Sequence, residues 1–240
     1  MGYVSSVVQL VRQLSQWGFD SEFVTCSMSD LELSRNLLAS QALASDATHL
    51  LFIDADMSFR SGLIKRMIDF NEPFVSTVYP KREIDLAKLL GNVTQEDLDN
   101  PGGWSDFISR NLKYVLRQNG LGESFEGRAG FARVLGTGMG ICLLQRSVLE
   151  QLIDVGKAAR LMQTGKDFGF PSEFAVYGFF DRVRDATGTR LSEDYSFCAR
   201  WTTRCKGDIW ACIDEPIGHV GSFEFKGTFA RTLSPPERGS

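Results

Sequence analysis

Val4, Val7, Val8, Val11 and Leu14 recur at helical spacing, and Gly18 follows where such a helix would end. Residues 21–26, Ser-Glu-Phe-Val-Thr-Cys, then read as a short strand. Ser29 and Asp30 offer side-chain oxygens to cap a second helix, which carries Leu33, Leu37, Leu38 and Leu43. Residues 48–53 form an apolar run bounded by polar residues, the pattern of a buried parallel strand. Residues 61–70 predict another helix and residues 73–79 another strand. Alternation of this kind predicts the α/β class, with a mixed, mostly parallel sheet flanked by helices.

After Lys81 the pattern changes. Residues 83–127 are polar, contain Pro101-Gly102-Gly103, and hold one convincing helix over residues 104–117. They read as an insertion over the sheet within a single domain spanning residues 1–233. Two strand segments, residues 131–135 and 141–144, flank the bend Gly136-Thr-Gly-Met-Gly140. A dinucleotide-binding loop needs Gly-x-Gly-x-x-Gly between a strand and a helix. Here the third glycine comes one residue early and a strand follows, so the bend serves close backbone approach. Residues 148–155 and 193–201 predict helices, 209–213 a strand, and 165–188 a loop-rich stretch. The tail, residues 234–240, reads as disordered.

Composition narrows the function. The 240 residues are 43% hydrophobic and 23% charged, with a formal net charge of −4 and no run of Lys or Arg. That balance argues against a nucleic-acid surface, which relies on clustered basic residues. Five cysteines without a Cys-x-x-Cys pair fit neither a disulfide framework nor a zinc site. No apolar stretch approaches the roughly 20 residues a membrane span needs. These features predict a cytoplasmic protein and leave peripheral membrane attachment open.

Asp54 and Asp56 are the first chemical signal. Two carboxylates one residue apart, after a strand, lie where open α/β sheets bind ligands. Such a pair suits a hard cation whose remaining positions go to phosphate oxygens and water. Capping of the next helix is the structural alternative. Glu193 and Asp194, at a helix start, are the second signal: either they complement the helix dipole or one serves as a general base. His219, one of only two histidines, lies in Gly218-His-Val-Gly221. An imidazole there suits Mn²⁺ and would complete a site with Asp56, although a lone histidine is more often structural. Trp104, Phe179, Phe180 and Trp210 suit sugar stacking or core packing equally.

Three segments in this order, Thr48-His-Leu-Leu-Phe-Ile-Asp-Ala-Asp56, Ser192-Glu-Asp194 and Gly218-His-Val-Gly221, resemble the GT-A glycosyltransferases. The similarity is closest to bacterial and phage proteins near glycosyltransferase family 2. It spans roughly residues 3–229 and weakens across residues 83–127, which would then lie on the acceptor side. The resemblance implies a GT-A fold, a nucleotide-diphospho-sugar donor (UDP- or GDP-linked) and a glycan or other hydroxyl acceptor. It further implies Mn²⁺ or Mg²⁺ held by the Asp-x-Asp motif, and an inverting reaction. Asp54 would contact the donor ribose or sugar and Asp56 the metal. Asp194, or else Glu193, would be the catalytic base, and His219 a late metal or diphosphate ligand. Arg35 occupies the place of a donor-contacting arginine, and Lys81 is a further candidate for the diphosphate. Family members normally open with a strand that cradles the nucleotide base, whereas this chain opens in a helix. That departure implies an incomplete base site.

Two rivals share these residues. Phe52-Ile-Asp54-Ala-Asp56-Met-Ser58 also resembles the nucleophile loop of haloacid-dehalogenase-type phosphatases, with Asp54 as nucleophile. The other is a GT-A-shaped binding module without catalysis, for which the absent first strand speaks.

Overall fold

The computed structural model describes residues 2–99, 103–117, 126–221 and 224–233; the tail at residues 234–240 lies outside them. Helix α1 covers Tyr3–Gln16, and Gly18, at φ +80°, turns the chain out of it. No strand forms over residues 21–26, contrary to the sequence pattern. Strand propensity expresses packing on a neighbour, and here Phe23 is exposed with no ladder beside it. Helix α2, Leu31–Ala44, is capped by Asp30, which accepts from the Leu33 N–H at 3.1 Å.

Strand β1 (His49–Ile53) leads through a turn to β2 (Met57–Ser58), helix α3 (Ser61–Phe70), β3 (Phe74–Thr77) and β4 (Pro80–Ile84). Short helices α4 (Leu86–Asn92), α5 (Gln95–Asp99) and α6 (Trp104–Asn111) follow, then strands β5 (Leu112–Tyr114) and β6 (Leu116–Arg117). The helix predicted to reach residue 117 therefore stops six residues earlier. Asn111 ends it: its amide donates to the Phe107 carbonyl at 2.8 Å and accepts from Asn92 at 2.7 Å. The chain beyond it then pairs with β4.

Strands β7 (Gly127–Arg128), β8 (Phe131–Val134), β9 (Gly136–Thr137) and β10 (Ile141–Gln145) precede helix α7 (Arg146–Asp154). A hairpin of β11 (Arg160–Thr164) and β12 (Ala175–Tyr177) crosses the stretch before helix α8 (Glu193–Arg200). Strands β13 (Ile209–Cys212), β14 (Ile217–Val220) and β15 (Glu224–Gly227) follow.

Among the described residues a six-stranded sheet runs in the order β1-β10-β3-β13-β8-β7. Only β3 and β13 pair in parallel; the other neighbours are antiparallel. The mostly parallel sheet expected from the sequence is thus corrected to a mostly antiparallel one within a mixed α/β fold. An apolar run reports burial on two faces, not strand direction. Here β10 returns between β1 and β3, and β8 returns beside β13. Strand β1 is at the sheet's edge.

The two-residue period assigns side chains to two layers. Phe52, Phe74, Cys142, Leu144, Ile209 and Ala211 pack with Ala39 of α2, Val148 and Leu152 of α7, and Phe197 of α8. Val75, Ile141, Leu143, Trp210 and Cys212 face the other way, onto Leu10 of α1 and Leu63, Ile64 and Met67 of α3. Helices therefore cover both faces. Among the described residues no helix is long and apolar enough to cross a membrane, and all five cysteines are free.

Candidate functional site

Arg35 organises one half of the site. It is 3% exposed on α2, the helix packed against β1. Its Nη2 donates to both oxygens of Asp54, at 3.2 and 3.1 Å. Nη1 donates to Glu193 Oε1 at 2.9 Å and lies 3.7 Å from Asp194 Oδ2. Burial alone would destabilise the guanidinium, but the charges of Asp54, Asp194 and Glu193 outweigh it and raise its pKa. Among the described residues its Nε has no hydrogen-bond partner.

The two acids of α8 differ in their surroundings. Ser192 caps the helix by accepting from the Tyr195 N–H at 3.4 Å, which aims the first turn at Arg35. Glu193 is buried and also faces Arg182 at 3.5 Å. Asp194 has the more exposed side chain of the pair, 17% against 8%, and among the described residues its one ion pair is with Arg35 Nη1, at 3.7 Å.

Asp56 organises the other half. Strand β14 pairs with β2 in the register His219 opposite Met57, and the Val220 N–H donates to the Asp56 carbonyl at 2.7 Å. That ladder brings His219 Nε2 to 3.2 Å from Asp56 Oδ2. On the other side of the ring, Nδ1 is 2.8 Å from the Pro80 carbonyl. A carbonyl only accepts, so Nδ1 carries a proton. A hydrogen bond from Nε2 to the carboxylate needs a second one, which a raised His219 pKa favours. Burial would lower the His219 pKa, but the Asp56 and Pro80 hydrogen bonds and the Asp56 charge raise it. Asp56 is correspondingly depressed, by the His219 hydrogen bond first and by the charges of His219 and Arg82. Arg82, on β4, places Nη1 3.1 Å from the same Oδ2.

Tyr79 joins the halves. Its ring packs edge-on to His219, with centroids 5.3 Å apart. Its pKa is raised by burial and by the charges of Asp54 and Asp194, and its hydroxyl accepts from the Gly140 N–H at 3.3 Å. This contact explains the glycine-rich bend: a Cβ on Gly138 would lie 2.0 Å from the Tyr79 oxygen, and one on Gly140 2.8 Å from its ring. Thr137 fixes the same bend by donating to the Thr77 carbonyl at 3.0 Å.

The structure thus brings together Arg35, Asp54, Glu193 and Asp194, and separately Asp56 and His219. The structure defines the surroundings of three candidates. Arg35, expected to touch the donor, has its guanidinium taken up by the protein's own carboxylates. Glu193 is tied between Arg35 and Arg182, which leaves Asp194 as the freer acid. Lys81 is exposed and makes no ion pair among the described residues, whereas Arg82, which sequence reasoning passed over, reaches Asp56. The two adjacent basic residues after β3 were the available signal. Tyr79 was also missed, because a buried tyrosine is invisible as a site residue until its neighbours are known. Phe179 and Phe180 are fully buried and Trp210 nearly so, which makes them core and not sugar platforms.

Comparison with known proteins adds no family. No family model matches the chain, and no curated protein matches it. A solved structure described as "Crystal Structure of A197 from STIV" aligns with 93% of this chain and 84% of that one, at 13% identity and a TM-score of 0.44. A likeness that remote carries no argument, so function rests on the site itself. Among the described residues no three His, Cys, Asp or Glu side chains converge on one point. Asp56 and His219 would supply two ligands to a cation. Mg²⁺ and similar ions commonly take one or two protein ligands and fill the rest with substrate phosphates and water. The Pro80 carbonyl holding Nδ1 is the outer contact expected of a ligating histidine. Among the described residues the pair offers two donors of the types a divalent ion accepts.

Proposed function

We propose that the protein is a metal-dependent glycosyltransferase of the GT-A type, moving a sugar from a nucleotide-diphospho-sugar to an acceptor hydroxyl with inversion. The observation that carries this reading is the meeting of Asp56 and His219, 163 residues apart, beside a second acidic cluster of Asp54 and Asp194 on Arg35. One pair offers a cation site for the diphosphate; the other offers a base.

On this reading Asp56 and His219 would hold Mn²⁺ or Mg²⁺, and the ion would supply positive charge against the leaving diphosphate. Asp194 takes the proton from the acceptor hydroxyl. The oxygen attacks the anomeric carbon as the bond to the diphosphate oxygen breaks on the opposite face. Arg35 keeps Asp54 and Asp194 in register and is a positioning residue. The phosphatase alternative needs a nucleophilic Asp54 oxygen free for phosphoryl transfer, and both oxygens accept from Arg35.

Calorimetric binding of UDP and GDP, with and without Mn²⁺, to the protein and to Asp56→Ala tests the donor site. The expected result is metal-dependent binding of one nucleotide that Asp56→Ala abolishes. Binding by neither nucleotide in folded protein would remove the basis for the reading. With a competent acceptor, Asp194→Asn should lower turnover by roughly 100- to 10,000-fold, while wild-type turnover in that variant would rule out the base. Nucleotide binding without turnover on any acceptor would instead support a non-catalytic binding module.

A further inference from the structure

Arg82 differs from Arg35 in every respect that matters for a moving part. Its side chain is 52% exposed, and among the described residues its one ion pair is with Asp56. It occupies Asp56 Oδ2, the same oxygen that faces His219 Nε2. A divalent cation shared by Asp56 and His219 would sit nearest that oxygen, so the guanidinium competes with it for the same carboxylate.

Release would not carry Arg82 far. Two residues before it, the Pro80 carbonyl is hydrogen-bonded to His219, so the strand is fixed beside the pair. The displaced guanidinium then hangs within a side chain's reach of whatever the cation holds. A planar guanidinium is matched to phosphate oxygens in a way an ammonium is not. We propose that Arg82 binds the donor diphosphate and rests on Asp56 when no cation is there. It exchanges one anionic partner for the other as the site loads. This deepens the glycosyltransferase reading and rests on it.

The two halves of the exchange predict changes of opposite sign for Arg82→Gln. Mn²⁺ alone is titrated by electron paramagnetic resonance, then UDP and GDP are titrated calorimetrically at saturating Mn²⁺. Losing the competing guanidinium should tighten Mn²⁺ roughly two- to fivefold, the scale of an exposed ion pair. Losing its hydrogen bonds to phosphate should weaken the nucleoside diphosphate by about tenfold or more. Lys88→Gln removes an exposed positive charge from α4 and should match the wild type in both titrations. If the wild type binds Mn²⁺ and nucleotide through Asp56 and Arg82→Gln matches it in both, Arg82 has no such role and the donor site stands. If Arg82→Gln binds both more tightly, the arginine only obstructs and the clamp is wrong. If the wild type binds neither, or Asp56→Ala binds like the wild type, the donor site fails and the Arg82 proposal with it.

Discussion

Replacing Arg35 with methionine removes one buried cation from three carboxylates and tests whether that cation holds the site together. Methionine retains most of the apolar stem, so the loss is chiefly electrostatic. Deleting one partner of a buried ion pair typically costs about 3–5 kcal/mol, because the remaining charge is left uncompensated. Two features favour the lower end. Asp54 is one-third exposed and gains water, and Glu193 keeps Arg182 at 3.5 Å. We therefore expect a loss of about 3 kcal/mol at pH 7.5, read from the urea midpoint and slope. A double-mutant cycle with Glu193→Gln should return a coupling of about 1.5–3 kcal/mol. A variant within about 0.5 kcal/mol of wild type, as for an ordinary surface substitution, would refute the claim that Arg35 ties these acids together.

Alanine at Gly138 places a Cβ 2.0 Å from the Tyr79 oxygen and 3.0 Å from Val115 Cγ1. It should cost about 1–3 kcal/mol in urea denaturation, and less in a Tyr79→Phe background; an unchanged midpoint would mean the bend yields without strain. His219 has a raised native pKa, so its bond to Asp56 contributes fully below the unfolded value of about 6.5 and fades as pH rises through the native one. In EDTA the stability gap between wild type and His219→Gln should be widest near pH 6, by about 1 kcal/mol or less, and narrow towards pH 9. A gap that widens with pH would contradict the imidazolium.

How much of this was legible beforehand follows from which interactions are local. Helix α3 begins and ends at the residues its periodicity indicates, and Asp30 caps α2 as its side chain allows, because both depend on neighbours within one turn. Asp54, Asp56, Glu193, Asp194 and His219 were identifiable as chemistry-bearing residues from type and position. Their grouping was not. The pairing of β14 with β2 that delivers His219 to Asp56 joins segments far apart in the chain. Strand direction was likewise hidden, since β10 and β1 carry the same apolar pattern whichever way they run. Residues 21–26 show the converse failure: an acceptable strand sequence stays irregular when no edge is offered to it. Arg82 and Lys81 are adjacent and alike in composition, and only the placement of β4 distinguishes the one that meets Asp56.

The resting arrangement around Asp56 also bears on the valence of the ion that would replace it. Asp56 Oδ2 faces two positive charges in this state, the His219 imidazolium and the Arg82 guanidinium. Ligation would need the lone pair at Nε2, so a protonated His219 would give up one proton. On the exchange proposed above, Arg82 moves away and takes the second charge with it. A divalent ion would supply the two charges that Asp56 Oδ2 loses in that exchange. A monovalent ion would leave the carboxylates one charge short, and a trivalent one would overfill the site. The released guanidinium is then surplus to the protein's own balance. It is available to an anion that enters with the cation, as a nucleoside diphosphate would.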